Sequence, residues 1–412
     1  MPALRRSARL AVMHSTAFYL AAVLIAYDAL VALFYTFVAV RIVTVLSRAP
    51  QVRDGLSEAA PGEGWPLVSI IVPAHNEERV IATCAACLLA SDYPDFEVMF
   101  VLDRCSDRTL DLLRPFAERD RRLRIIENTA CPPDWAGKCN AARVGAEHAR
   151  GGYLLFTDAD VRFDPALVRA AVGLMRRDRL GLLSLLPRVV SVAWYERITQ
   201  PVAAFALMQM YPIDKINRDQ RRRPFANGQF LLFDRAVYEQ IGGHAATKSD
   251  LLEDIAFARL VDASGARIAL AMATDMLEVH MYASFAALKA GWKRIFIEAS
   301  RRRVKRLRRK ALLMLLLGVG TPLAQVGALA AGAASGGGVL VWAAVAVAWG
   351  IAAQATALAV VYRTCRVPVR DIALSPIGAA VVAYLLWQGA RDLAERRPVR
   401  WGGREYRLMP ED

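Results

Sequence analysis

Long apolar segments at both ends of the chain constrain its fold more than any other feature. From Ala17 to Val45 the chain is apolar except for Asp28, Arg41 and a few tyrosines and threonines. Three more apolar runs follow near the C-terminus, at residues 311–333, 339–361 and 372–390. A membrane-spanning helix needs ~20 consecutive, mostly apolar residues. We therefore expect one membrane helix in the N-terminal region 1–47 and two or three in region 311–391, since the last run contains a Ser-Pro pair and could be re-entrant.

Positive charge is concentrated beside these apolar runs. The net charge of the 412 residues is +14, and most of residues 301–310 are Lys or Arg. Such a cluster next to a span is typical of the cytoplasmic side, where it contacts anionic lipid. Nucleic acid is another partner for basic surfaces, but the chain lacks the aromatic platforms that such binding uses. The sequence predicts a multi-pass protein of the cell (inner) membrane, with a cytoplasmic domain at 48–310 and no nucleic-acid partner.

The charge pattern does not give one consistent topology. The same rule would place the N-terminus and the basic tail, residues 392–412, in the cytoplasm as well. One span before the middle domain and three after it cannot keep all three regions on one side. The sequence leaves the number and direction of the C-terminal spans open.

The middle domain alternates between strand and helix patterns. Short apolar runs at 68–72, 98–102, 123–126 and 153–156 are typical of buried strands, and helical patterns lie between them at 77–89, 107–118 and 138–149. This alternation predicts an α/β fold, with a mostly parallel sheet and helices on both faces. Ligands of such sheets bind at the carboxyl ends of the strands.

Acidic residues follow three of these predicted strands. Glu77 lies just beyond the first strand and Asp103 ends the second, while Asp158 and Asp160 follow the fourth. Two carboxylates that flank one residue at a strand end can bind Mg²⁺ or Mn²⁺, which prefer oxygen ligands and share them with phosphate groups. The chain has no GxGxxG after the first strand and no P-loop. We therefore expect a metal site that holds a diphosphate.

A second acidic pair, Glu253 and Asp254, begins a predicted helix. Acidic residues are favoured at helix starts by the helix dipole, which is a sufficient structural explanation. The functional alternative is a general base that removes a proton from an attacking hydroxyl. Spacing alone does not separate the two. His280 is similarly open between a structural residue and a late metal ligand.

Five motifs in this order resemble those of glycosyltransferase family two. They are VSIIVPAHNEE (68–78), VLDRCSDRT (101–109), GKCNAARVGAEHARG (137–151), LLFTDADV (154–161) and LLEDIAFARLV (251–261). The resemblance covers about residues 66–303. It implies a GT-A fold and an inverting, metal-dependent sugar transfer from a nucleotide-sugar donor. Within the family, the chain resembles the membrane-anchored branch that includes carotenoid- and hopanoid-associated glycosyltransferases, which implies a lipid acceptor.

The resemblance also implies a role for each matched residue. It assigns Asp254 as catalytic base, Asp158 and Asp160 as the metal and diphosphate motif, and Asp103 as the partner of the base, expected to be uracil. The remaining nucleotide-sugar contacts would come from Pro73, Ala74, Glu77, Lys138, Asn227, Gly228, Gln229 and Glu253. The Gln-x-x-Arg-Trp motif of processive members is missing, which implies one sugar per acceptor. The corresponding stretch is amphipathic, and Trp292 within it is expected to anchor the domain at the membrane interface.

Two other interpretations remain open at this point. A polyprenyl-phosphate sugar synthase would use a phosphate nucleophile and would need no base. A non-catalytic membrane scaffold would keep the fold without chemistry, although the acids at every expected position favour an enzyme.

Overall fold

The computed structural model describes residues 2–58, 64–217, 223–248, 250, 252–336, 338–401 and 404–411. Helices and strands alternate through the middle of this range, and long helices lie at both ends. The strands are β1 Val68–Ala74, β2 Phe96–Asp103, β3 Leu123–Asn128, β4 Tyr153–Phe156, β5 Val161–Phe163, β6 Leu182–Leu186, β7 Arg188–Val189, β8 Leu231–Asp234, β9 Ile268–Met272, β10 Leu277–Val279, β11 Val399–Trp401 and β12 Arg404–Tyr406.

The helices fall into two groups, those around the sheet and those near the ends of the chain. They are α1 Pro2–Ser47, α2 Ile81–Leu89, α3 Thr109–Arg119, α4 Gly137–His148, α5 Leu167–Arg177, α6 Trp194–Met210, α7 Ile213–Ile216, α8 Arg235–Gln240, α9 Glu253–Ala263, α10 Phe285–Ala299, α11 Val304–Met314, α12 Thr321–Ser335, α13 Val339–Thr364 and α14 Ser375–Ala394. A π-helical turn, Leu315–Gly320, joins α11 to α12.

The main sheet has seven strands in the order β3-β2-β1-β4-β8-β6-β9. All neighbours are parallel except β8, which runs antiparallel to both β4 and β6. The interior of the sheet is almost fully apolar, as expected for strands covered by helices on both faces. The predicted α/β class with a mostly parallel sheet is confirmed.

The first predicted helix begins later than the sequence pattern indicates. It starts at Ile81 rather than at Glu77. Val80, just before it, has a φ of −124°, which is outside the helical range, and Asn76 after β1 has a left-handed φ of +58°. The chain thus turns sharply after β1 and exposes a short polar loop at the sheet edge.

Four helices of the described chain are long and apolar enough to cross a membrane. They span Met13–Ser47, Val304–Ser335, Val339–Thr364 and Val369–Ala394. Three of them pack together as a bundle: α1 contacts α13 through Val31, Tyr35 and Ala357, and Ala328 of α12 packs on α13. The outer faces of the bundle carry many exposed large apolar side chains, as a lipid-facing surface would.

The fourth apolar helix, α14, packs on α11 and on the π-helical turn that follows it, and also on α6 and α10. Gly378 approaches the backbone of α6 so closely that a Cβ there would lie 2.3 Å from the Ile198 carbonyl oxygen. On its other side α14 shares an apolar cluster with α10, to which Trp292 contributes. Trp292 is only 5% exposed. The expectation that Trp292 anchors an interface is therefore wrong, because the apolar face of α10 is covered by α14 and α6.

Candidate active site

The topology brings the predicted site residues to one edge of the sheet. The carboxyl ends of the parallel strands β1, β2 and β4 meet there, which positions Glu77, Asp103 and Asp158. Because β8 is antiparallel and pairs Leu231 with Phe156 of β4, the loop just before β8 lies at the same edge. That loop contains Asn227, Gly228 and Gln229. The sequence motifs are therefore gathered by strand order, not by their spacing along the chain.

A cavity of about 530 Å³ opens at this edge. We call it the donor cavity. Most of the predicted contact residues line it, namely Pro73, Ala74, Glu77, Asp103, Lys138, Asp158, Asp160 and Gln229.

The acidic residues of the donor cavity favour the binding of a positive charge. Burial, followed by the nearby Asp158, raises the pKa of Glu77 to about 7. Burial and the charges of Asp158 and Glu77 raise the pKa of Asp160 well above its usual value. The buried Oδ1 atom of Asp160 has no hydrogen-bond partner among the described residues. A buried carboxylate oxygen without a partner is costly, so the arrangement fits an incoming cation.

Lys138 forms ion pairs with two of the acids. Its Nζ lies 2.8 Å from Asp158 Oδ1 and 2.6 Å from Glu253 Oε1. Burial would lower the pKa of Lys138, but the two carboxylates outweigh it and raise the pKa above its ordinary value. Lys138 therefore stays protonated and places a fixed positive charge at the wall of the donor cavity.

Asp254 is not among the residues that line the donor cavity, but it binds the residue next to Gln229, which does line it. Its Oδ2 accepts a hydrogen bond from the Gly228 backbone N–H at 2.8 Å, and its Oδ1 accepts one from the Ile255 N–H at 2.7 Å. Burial first and Glu253 second raise the pKa of Asp254 to about 7, while Lys138 opposes this rise. A carboxylate with a pKa near neutrality has the basicity that a general base needs.

Two side chains fix Asp103 in the wall of the donor cavity. Its carboxylate accepts hydrogen bonds from Arg104 and, at 3.0 Å, from Asn128 Nδ2. Arg104 has a φ of +51°, a conformation that is uncommon outside glycine and is often found at functional sites. A Cβ at Gly137 would come within 2.8 Å of the Asp103 carboxylate. The start of α4 thus approaches Asp103 closely only because residue 137 is glycine.

Among the residues that line the donor cavity without having been predicted are two tyrosines and an arginine. Tyr282 and Arg294 come from the segment at α10, and Tyr406 comes from the C-terminal tail. The apolar periodicity around Trp292 gives no reason to assign Arg294 to the site, and Tyr406 belongs to no recognised motif. A basic side chain on α10 was visible in the sequence, but only the packing of α10 on the sheet edge directs it into the donor cavity.

His280 does not lie among the residues that line the donor cavity. Its backbone N–H donates to the Asp160 carbonyl oxygen at 3.2 Å. Among the described residues, no three His, Cys, Asp or Glu side chains are grouped so that they could hold a metal ion by themselves.

The α/β sheet carries acids at the carboxyl ends of its parallel strands, as the sequence predicts. The model for the family described as glycosyl transferase family 21 matches residues 24–412, so the chain belongs to that family. The predicted glycosyltransferase identity is confirmed. The family named is 21, and not family two, whose motifs the sequence resembles.

Two curated relatives are similar over part of their length. The uncharacterized glycosyltransferase EpsJ of Bacillus subtilis is 38% identical over 118 residues, which cover 29% of this chain and 33% of EpsJ. The 4,4'-diaponeurosporenoate glycosyltransferase of Staphylococcus haemolyticus is 24% identical over 245 residues, which cover 58% of this chain and 64% of that protein. The chain thus spans about a third of one relative and less than two thirds of the other.

A solved structure is also similar. The mannosyltransferase PcManGT from Pyrobaculum calidifontis, in complex with GDP-Man and Mn2+, has a TM-score of 0.47 and 23% identity. The alignment covers 91% of this chain and 99% of that chain.

Proposed function

We propose that the protein is a membrane-bound, inverting glycosyltransferase that moves one sugar from a nucleotide-sugar donor, expected to be a UDP-sugar, to a lipid acceptor. The observation that carries this proposal is the composition of the donor cavity. The pKa values of Glu77 and Asp160 are raised there, and one buried oxygen of Asp160 has no hydrogen-bond partner among the described residues. Lys138 lines the same cavity. Such a site is suited to a cation together with a diphosphate.

Asp158 and Asp160 would hold Mg²⁺ or Mn²⁺. The unpartnered oxygen of Asp160 fits a cation, and hard divalent cations commonly complete their shell with substrate phosphate oxygens. When bound, the metal would offset charge on the leaving diphosphate.

The remaining contacts with the nucleotide sugar would come from protein side chains and backbone. Asp103, held by Arg104 and Asn128, would accept a hydrogen bond from the base, with Pro73 and Ala74 beside it. Lys138 would supply a permanent positive charge next to the diphosphate. Asn227, Gly228 and Gln229 would line the place where donor sugar and acceptor meet.

Asp254 would act as the general base. The acceptor hydroxyl oxygen attacks the anomeric carbon from the side opposite the diphosphate, and its proton passes to Asp254. The bond from the anomeric carbon to the diphosphate oxygen breaks, and its electron pair leaves with the nucleoside diphosphate. A single displacement of this kind inverts the configuration at the anomeric carbon.

The membrane helices support a lipid acceptor at the cytoplasmic face of the cell membrane. The basic cluster at 301–310 begins the first C-terminal membrane helix. The diaponeurosporenoate enzyme is named for an acceptor that is not a sugar, which supports extending the same class of reaction to this chain. An isoprenoid lipid, such as a carotenoid or hopanoid, is a suitable candidate.

The test is transfer from UDP-sugars by the purified protein with membrane lipid extract, with and without Mn²⁺. Asp158→Ala and Asp254→Ala should each lower transfer at least about a hundredfold, the factor that a general base contributes. The matched control is Asp111→Ala, at an exposed carboxylate on α3. If Asp254→Ala stayed active while Asp158→Ala did not, the acceptor would be a phosphate and the polyprenyl-phosphate synthase would replace this proposal. Absence of nucleotide binding would support the scaffold.

A further inference from the structure

A second cavity lies where α1 meets the middle domain. It has a volume of about 460 Å³, and we call it the α1 cavity. Residues of α1, of the segment that follows it and of the α7 region form its wall. Among the described residues, none that lines the α1 cavity also lines the donor cavity. The α1 cavity is therefore separate from the site of the proposed sugar transfer.

One wall of the α1 cavity is a single face of α1. Phe37, Val40 and Arg41 share this face because they are three or four residues apart, and Arg48 follows directly after the helix. Phe37 and Val40 are 64% and 63% exposed. They belong to a helix that is long and apolar enough to cross a membrane. The wall is thus apolar toward the middle of the membrane helix and basic toward its end.

The opposite wall of the α1 cavity is attached to the sheet. Asn217, which follows α7, donates from Nδ2 to the Leu270 carbonyl oxygen at 2.9 Å, and its Oδ1 accepts the Leu270 N–H at 2.8 Å. Ile213 of α7 packs in one apolar cluster with Leu270. The Pro50 carbonyl oxygen accepts the Met272 N–H at 2.8 Å, so the segment after α1 is attached to the same strand, β9. The α1 cavity is therefore a fixed feature of the joint between the membrane helix and the sheet.

The charged side chains of the α1 cavity favour an anion. Arg41 and Arg48 are its basic residues, and Asp214 is the one acid among the described residues of its wall. Arg41 Nη2 lies 3.4 Å from Asp214 Oδ1, and the Arg41 side chain is 37% exposed. A guanidinium group has several N–H donors, so this contact leaves others for a ligand. Arg48 is exposed as well. Guanidinium groups match the geometry of phosphate oxygens, which makes a phosphate group a suitable ligand.

The order of apolar and basic residues along α1 indicates what carries that phosphate. A free phosphate ion or an acidic peptide in the aqueous phase would leave the apolar side chains Phe37 and Val40 uncovered. A phospholipid covers them with an acyl chain while its phosphate contacts Arg41 and Arg48. Arginine side chains near the end of a membrane helix extend toward the headgroups, and basic residues beside a membrane helix attract anionic lipid.

We propose that the α1 cavity binds one anionic phospholipid, with its phosphate at Arg41 and Arg48 and an acyl chain against Phe37 and Val40. This lipid is a bound ligand and not the acceptor of the sugar, so the inference goes beyond the proposed function and does not depend on it. Because one wall of the cavity is α1 and the other is attached to β9, the bound lipid fixes the middle domain relative to the membrane surface.

The first experiment measures lipid binding directly. The full-length protein in an uncharged detergent is titrated with dioleoylphosphatidylglycerol, dioleoylphosphatidylcholine or inorganic phosphate, and native mass spectrometry records the bound molecules. One phosphatidylglycerol is expected to bind more tightly than phosphatidylcholine. If phosphatidylglycerol is not retained, or if both lipids bind equally, the inference is wrong. If inorganic phosphate competes as well as phosphatidylglycerol, the cavity is a site for free phosphate and the lipid assignment is overturned.

The second experiment tests the two arginines. Arg41→Gln/Arg48→Gln should raise the Kd for phosphatidylglycerol roughly thirtyfold, because each basic residue near a membrane surface contributes about fivefold. The matched control is Arg303→Gln/Arg309→Gln, which removes two exposed arginines at the start of the first C-terminal membrane helix. Equal losses in the two double variants would show a general attraction of anionic lipid and would overturn the α1 cavity as the site.

A third variant separates lipid binding from damage to the fold. Asp214→Asn removes the carboxylate that competes with the phosphate for Arg41, so it should lower the Kd for phosphatidylglycerol about fivefold. A disturbed fold would weaken binding and could not produce this gain. Asp111→Asn, at an exposed carboxylate on α3, controls for the change in net charge. A Kd that Asp214→Asn leaves unchanged or raises would contradict a phosphate at Arg41.

Discussion

At the scale of single residues, the site depends on unusual conformations at the strand ends. Asn76 after β1 and Arg104 after β2 both have left-handed backbone conformations. Each turn lets a polar side chain or a backbone group point back over the sheet edge: Asn76 Oδ1 accepts the Ser106 N–H at 2.8 Å, and Arg104 clamps Asp103. Such conformations cost free energy, and the surrounding hydrogen bonds maintain them.

The raised pKa of Asp254 predicts a specific pH dependence. A general base is active only when it is deprotonated, and burial raises the pKa of Asp254 to about 7. We expect kcat/KM for transfer to rise with pH, to reach half of its plateau near pH 7, and to fall about tenfold per pH unit well below that. Asp254→Asn should remove this dependence together with most of the activity. If kcat/KM of the native enzyme stayed constant over roughly three pH units, from about pH 5 to about pH 8, the assignment would be contradicted.

Lys138 has a structural role besides its proposed electrostatic one. Lys138→Met would leave the buried Glu253 beside Asp158 without a counter-charge, and we expect a loss of about 3 kcal/mol in the free energy of unfolding. The double variant Lys138→Met/Glu253→Gln should recover a large part of this loss, because the buried charge is then also removed. Thermal unfolding in detergent measures both effects.

A matched control for Lys138 exists on the surface. Lys248 pairs with Asp134 at 2.6 Å, and both side chains are about half exposed. Exposed ion pairs contribute little to stability, so Lys248→Met should leave the melting temperature nearly unchanged. Equal effects of the two substitutions would show that Lys138 is not a buried charge partner.

At the scale of elements, the donor cavity is completed by segments from outside the sheet. Helix α10 contributes Arg294, and the tail that follows α14 contributes Tyr406. The tail is attached to the catalytic domain by buried Leu408 and by the Glu411 N–H, which donates to the Arg302 carbonyl oxygen at 3.1 Å. The basic tail expected from the sequence is thus part of the cavity wall.

Tyr406 should contribute to donor binding. It lines the donor cavity together with Asp103 and Gly137, at the end proposed to hold the base. An aromatic ring stacked on a base contributes ~1–3 kcal/mol, so Tyr406→Ala should raise the KM for the nucleotide sugar about tenfold and leave kcat nearly unchanged. Tyr384→Ala, at an exposed position on α14, is the control. Steady-state kinetics with both variants decides this, and equal KM values would exclude Tyr406 from the donor site.

At the scale of the whole molecule, the position of the tail limits the topologies that the charge pattern leaves open. Because Tyr406 lines the donor cavity, the tail and the catalytic domain lie on the same side of any membrane. The chain between them must therefore cross an even number of times. Helices α12 and α13 pack with α1 as a bundle, whereas α14 packs on α11, α6 and α10. We therefore propose three crossings, by α1, α12 and α13, with α14 lying along the catalytic domain.

The predicted topology places the two ends of the chain on opposite sides. An N-terminal tag should be extracytoplasmic, whereas a C-terminal tag and an epitope inserted at the exposed Gly265 turn should be cytoplasmic. Protease protection of tags in intact spheroplasts measures this. Protection of both terminal tags, or of neither, would require α14 to cross as well and would contradict the packing of the tail.

Much of the catalytic domain was predictable because its signals are local. The strands β1, β2 and β4 are apolar runs that end in polar residues, and the seven-stranded sheet confirms the predicted fold class. Asp158 and Asp160 were recognisable because a buried strand rarely ends in paired acids. The start of α2 was not predictable to this accuracy, since the left-handed Asn76 is a property of the turn and not of the helical pattern.

The sequence by itself determined the α/β class, the apolar helices and the acids at the strand ends, because periodicity and composition act over a few neighbouring residues. Only the tertiary structure decided which distant segments meet. It placed Lys138 between Asp158 and Glu253, buried Trp292 under α14, and brought Tyr406 into the donor cavity. These contacts depend on how helices and strands pack over long sequence separations, and no local pattern encodes that packing.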